Sequence, residues 1–68
     1  MIERSRSTPL PALAAHRRQR GLTQRQLGEL ASVAHTTVQR LESLSRGAYP
    51  QTFRKLALAL RVEPKDLL

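Results

Sequence analysis

Residues 24–31 and 35–43 form two short amphipathic segments with only three or four residues between them, and this spacing limits the fold more than any other feature of the chain. A link so short does not let two helices pack antiparallel, so they must cross at a steep angle. The first segment carries a clear helix start. Thr23 is placed to accept from the Gln26 amide while the Gln26 side chain returns to the Thr23 amide, and Leu22 is placed to staple onto Leu27. Across the pair, Leu27, Leu30, Ala31, Val33, Val38 and Leu41 are expected to face inward.

The rest of the chain supplies what these two segments need to pack against. A first helix is expected from near Pro9–Pro11 to Arg20, with Leu10, Leu13, Ala14 and Arg17 on one face and Gly21 as its stop. Pro50 opens a fourth segment in which Phe53, Leu56, Ala57 and Leu60 recur at i, i+3, i+4, i+7, the spacing of a buried stripe. Pro64 opens a last turn with Leu67 and Leu68, only one of which should find room in so small a core. Leucine dominates, β-branched residues are scattered, and no strand-like alternation persists, so the fold class is all-α. Residues 1–8 are polar and without period and read as a flexible tail, and residues 9–68 as one domain. Sixty-eight residues bury only about 60% of their unfolded surface and do not support two cores.

Charge points to the partner. Twelve Lys and Arg against five Asp and Glu give +7, which draws the chain to polyanions. Ten of the twelve cations are arginine, whose planar fork grips a phosphate or a guanine edge with two parallel hydrogen bonds. The Phe, Tyr and Trp complement is only Tyr49 and Phe53, too few for the stacking platforms of single-strand binders, so double-stranded DNA is favoured. Phe53 is expected in the core, and Tyr49 in either loop packing or a subunit contact. With no cysteine and two separated histidines, no metal site and no cofactor are expected. Five dispersed acids offer no paired carboxylates and no nucleophile–base arrangement, so the chain is not expected to be an enzyme. No apolar run reaches the roughly 18 residues of a membrane span, and a soluble, cytoplasmic protein is expected.

On helix 3, Val38 and Leu41 point inward while His35, Thr36, Gln39 and Arg40 point out. That outward set is polar and mostly short, as base-edge readout in a groove requires. Two short helices crossing steeply, the second with such a face, form a helix-turn-helix in which the second helix enters the major groove and the first crosses the backbone. His16 is assigned to the surface without a role. Arg18 and Arg20 are expected to add long-range attraction.

The runs Gly21-Leu22-Thr23-Gln24-Arg25-Gln26-Leu27, Ala31-Ser32-Val33-Ala34, Thr37-Val38-Gln39-Arg40-Leu41-Glu42 and Lys55-Leu56-Ala57-Leu58-Ala59-Leu60-Arg61-Val62 resemble the Xre/Cro–C1 helix-turn-helix family of bacterial and phage regulators over roughly residues 10–68. The resemblance implies a compact five-helix, lambda-repressor-like bundle that binds an inverted-repeat operator as a homodimer, with helix 3 reading bases, and usually represses. It places His35, Thr36, Gln39 and Arg40 at base-reading positions. Gln24, Thr37 and Arg46 fall at DNA-backbone positions, and Arg17 with Glu42 at a structural ion pair. The chain departs from the family pattern where Gly28 stands for Ala, Ser32 for the turn Gly, and Ala34 for a Ser or Thr cap. Gly47 and Pro50 also come later than the family's Gly and Pro, so the loop after helix 3 is the least transferable part.

Two other classes compete with this reading. An antitoxin would neutralise a toxin enzyme while autoregulating its operon, but such proteins usually carry a binding segment beyond the bundle. An amphipathic membrane-surface peptide would suit Leu10, Leu13, Ala14 and the arginines, yet it would not need the Thr23 capping box or a complete bundle.

Overall fold

The computed structural model describes residues 7–68, so most of the tail expected over 1–8 lies outside the described residues. Four α-helices follow in order: α1 (Leu13–Gln19), α2 (Gln24–Ala31), α3 (His35–Glu42) and α4 (Pro50–Leu60). Where a fifth helix was expected there is a single 3-10 turn, Pro64–Leu67. Glu63 and Asp66 close that turn, each side chain accepting from the other's backbone amide. Among the described residues there is no strand. One antiparallel bridge joins Thr8 to Ala48 through two hydrogen bonds of 2.8 Å, which ties the chain ahead of α1 to the loop ahead of α4.

The first helix starts later than the proline pair suggests. A residue preceding proline is driven away from helical backbone, which keeps Leu10 out of the helix and leaves Pro11 and Ala12 in a turn. The Leu13 amide then closes onto the Leu10 carbonyl at 3.1 Å before α1 begins. Leu10 and Leu13 are both buried all the same.

All four helices end alike. Gly21, Ser32, Leu44 and Arg61 adopt left-handed backbone with φ of 68°, 57°, 62° and 58°. The next amide in each case turns back onto the helix, Leu22 to Arg17, Val33 to Gly28, Ser45 to Arg40 and Val62 to Ala57, at 2.9–3.2 Å. This is the Schellman closure, and Leu22, Val33 and Val62 add its customary apolar contact by packing against the core. Only Gly21 adopts the conformation without a Cβ penalty.

The core is a single cluster built mainly from Leu10, Leu13, Leu27, Val38, Leu41, Leu56, Leu60 and Leu67, with Phe53 half-buried against it. Leu67 fills the core while Leu68 is 57% exposed. Leu30, expected inward, is 62% exposed. The buried stripe of α2 runs through Leu27, Gly28 and Ala31, which turns the helix so that Leu30 faces away from the core. Gly28 is buried because the turn comes so close: a Cβ there would lie 2.6 Å from the Val33 carbonyl oxygen. His16 is also more than a surface residue. It is half-buried, and its Nε2 lies 3.1 Å from the Asp66 carbonyl oxygen, joining α1 to the 3-10 turn.

Candidate nucleic-acid interface

The candidate interface begins where α2 begins. Thr23 Oγ1 accepts from the Gln26 amide at 3.0 Å, and Gln26 Oε1 accepts from the Thr23 amide at 2.8 Å, which sets the first turn of α2 and places Gln24 at its first position. The turn Ser32–Ala34 then redirects the chain into α3. That helix has no side-chain cap, because Ala34 stands at its N-cap.

Val38 and Leu41 anchor α3 in the core, and this orientation decides what its other side presents. Thr36, Gln39 and Arg40 are exposed, while His35 and Thr37 are half-buried. None of these five side chains makes a hydrogen bond or ion pair among the described residues, so their polar groups are free for an external ligand. They lie on one helix, and four of the five flank it at spacings that one groove can accept, from His35 and Thr36 in the first turn to Gln39 and Arg40 one turn later. Arg46 is exposed in the following loop. The hydroxyls of Ser43 and Ser45 both donate to the Arg40 carbonyl, at 3.1 and 3.2 Å, and hold the start of that loop against the end of α3. At its far end Gly47 packs against the Thr8 backbone so closely that a Cβ would lie 2.8 Å from the Thr8 nitrogen. Sequence reasoning missed this clasp, since a single bridge forty residues apart leaves no periodic trace; a glycine followed by a small buried residue, Ala48, is its only signal.

Gln24 and the Arg17–Glu42 pair form one network. Arg17 Nε and Nη2 donate to Glu42 Oε2 and Oε1 at 2.5 and 2.9 Å, and Arg17 Nη1 donates to the Leu22 carbonyl at 2.7 Å. Gln24 Nε2 adds a third hydrogen bond to the carboxylate, donating to Oε1 at 3.0 Å. The two charged side chains are only 11% and 7% exposed. Burial pushes the Glu42 carboxyl up, but the hydrogen bonds from Arg17 and Gln24 and the positive charges of Arg17 and Arg18 outweigh it and hold the group below its ordinary value. The hydrogen bond to Glu42 raises Arg17 against the opposing effect of burial, so both partners stay charged. The network pins α1, the start of α2 and the end of α3 to one another.

The comparisons agree with this geometry. Residues 13–67 match the family model described as helix-turn-helix. The chain is similar to the restriction-modification controller protein C.AhdI from Aeromonas hydrophila, with a TM-score of 0.79 and 32% identity over 82% of this chain and 85% of that one. No protein with a curated description matches it. Among the described residues no helix is long and apolar enough to cross a membrane. With four-fifths of its length matched and α2 and α3 forming a helix-turn-helix, the chain belongs to the Xre/Cro–C1 type of helix-turn-helix family, DNA-binding regulators of transcription.

Proposed function

We propose that the protein is a sequence-specific regulator, acting as a repressor, that binds an inverted-repeat operator as a homodimer with α3 in the major groove of each half-site. The observation that carries this reading is the outer face of α3: a polar, unpartnered set on a helix whose opposite face is locked into the core. Arg40 spans O6 and N7 of one guanine, Gln39 and His35 read neighbouring edges, and the Thr36 methyl meets a thymine methyl. Gln24, Thr37 and Arg46 contact the phosphate backbone and set the register. The net charge of +7 supplies the sequence-independent attraction.

Similarity to a restriction-modification controller supports a regulatory role over the antitoxin alternative. For the homodimer, the support is the exposure of Leu58 and Leu68, at 78% and 57%, on α4 and just after the 3-10 turn. A two-fold contact there would set two recognition helices about 34 Å apart, one turn of DNA.

Selection of bound sequences from random duplex DNA tests the proposal. The expected product is an inverted repeat whose half-site centres lie about 10 base pairs apart or a multiple of that. Enrichment of a single unrepeated half-site would remove the homodimer, and no enrichment at all would remove sequence-specific binding.

A further inference from the structure

The Glu42 side chain is almost wholly covered, yet its carboxylate holds one end of the Gln24 amide and so sets which way that amide is turned. An amide side chain has two chemically opposite ends, an oxygen that only accepts and an NH2 that only donates, and a free glutamine presents either. Gln24 is not free. The atom it places 3.0 Å from Glu42 Oε1 must be the nitrogen, because an ionised carboxylate offers no hydrogen to an amide oxygen. Glu42 is itself held from two further directions by the Arg17 fork, which is fixed in turn on the Leu22 carbonyl, so the acceptor does not swing. One Nε2–H is thereby spent on Glu42. The geminal N–H on the same nitrogen remains, at the first position of α2, with no partner within the described protein.

Building on the phosphate contact proposed for Gln24, we infer that Glu42 is a positioning residue for DNA binding. It orients the Gln24 carboxamide so that an N–H, and not the carbonyl oxygen, is presented to the phosphate. Arg17 acts one step further back, by holding the carboxylate. Without the negative charge at position 42 the Gln24 amide turns over freely, and half of its orientations set an oxygen lone pair against a phosphate oxygen.

Two measurements on an operator duplex test this. In the wild-type protein, the Gln24 side-chain amide gives two proton resonances. On titration with duplex, the proton bonded toward Glu42 stays in place and its geminal partner shifts; equal movement of both, or movement of neither, overturns the proposal. The second is a binding cycle over Gln24→Ala and Glu42→Gln, run where both variants are folded by circular dichroism. Gln24→Ala weakens the wild type by about tenfold, the worth of one hydrogen bond to a charged acceptor. In the Glu42→Gln background the same change costs about threefold or less, because the contact is already compromised. A merely structural Glu42 lowers the melting temperature but leaves the Gln24→Ala factor unchanged, and that result overturns the proposal while leaving the DNA-binding reading intact. Absence of duplex binding by the wild type overturns both.

Discussion

At the scale of single residues, Glu42 is the costliest side chain to lose. Three hydrogen bonds end on a carboxylate that is almost wholly covered, and its removal leaves the Arg17 guanidinium charged and without its counterion. Removing one partner of such a pair costs about 3–5 kcal/mol. Glu29 is exposed on α2 and its side chain makes no hydrogen bond among the described residues. Glu42→Ala should therefore lower the melting temperature far below that of Glu29→Ala, with Glu63→Ala between them because Glu63 caps the 3-10 turn. Equal melting temperatures would show that the pair contributes nothing. The pH dependence follows from the same carboxyl. Its value in the folded chain lies below that in the unfolded chain, so its contribution is complete above the ordinary carboxylate range and is lost as pH falls through the folded value. Glu42→Gln should accordingly flatten the acid limb of a melting-temperature profile, leaving less to lose between about pH 5 and pH 2. The ion pair between residues 17 and 42 was legible only through family resemblance, since a separation of twenty-five positions carries no pattern linking the two. The bond from His16 to the Asp66 carbonyl was not legible at all, because a lone histidine on a basic helix face looks the same with or without a distant carbonyl above it.

Among the elements, the helix ends carry the clearest lesson. Helix α2 was readable because its start is written in side chains, Thr23 and Gln26, and helix α3 because its inward pair, Val38 and Leu41, repeats at i, i+3. The ends were harder. The sequence marks one left-handed position with glycine, Gly21, whereas Ser32, Leu44 and Arg61 adopt the same conformation with a Cβ and give no such mark. At Ser32 and Arg61 the trace is the apolar residue that follows, Val33 and Val62, which the core pulls inward and which thereby forces the closure, whereas Leu44 is followed by Ser45 and leaves none. The start of α1 and the facing of Leu30 were misread for a related reason: tertiary packing chose the Leu27–Gly28–Ala31 stripe, and periodicity alone allowed a neighbouring one. Left-handed backbone costs a non-glycine residue about 1 kcal/mol, so Leu44→Gly, at a half-exposed side chain, should stabilise the chain and raise the melting temperature by about 4–8 °C. An unchanged or lowered value would mean that Leu44 packs more than its exposure suggests. Gly28→Ala should act in the opposite direction. Alanine favours the helix by about 1 kcal/mol, but its methyl would meet the Val33 carbonyl at 2.6 Å, and forcing the turn outward costs about 1–3 kcal/mol. Thermal melts should show a net loss, and the turn that aims α3 would move with it.

For the whole molecule, charge and shape act together. A chain carrying +7 that neutralises several phosphates per half-site releases their counterions, so affinity for duplex should fall by at least about a hundredfold between about 50 and 200 mM salt. Binding that barely changed over that range would contradict a phosphate-contacting interface. Assembly should depend on the leucines that the core leaves outside. Leu58→Asp places a charge on the most exposed apolar side chain of α4 and should leave the monomer folded while abolishing dimers in sedimentation on operator DNA. Persistence of the dimer would move the two-fold contact elsewhere.

The central claim is that α3 reads bases while the rest of the surface only positions it, and Arg40 separates the two roles. Sequences selected in parallel from random duplex DNA by the wild type and by Arg40→Ala measure this directly. Loss of one bidentate guanine contact removes roughly 1–3 kcal/mol of discrimination. The variant should therefore lose its preference at one base pair in each half-site and keep every other position sharp. If the variant selected the wild-type sequence at every position and bound it only more weakly, Arg40 would be a phosphate clamp, and α3 would not be the element that reads the operator as described.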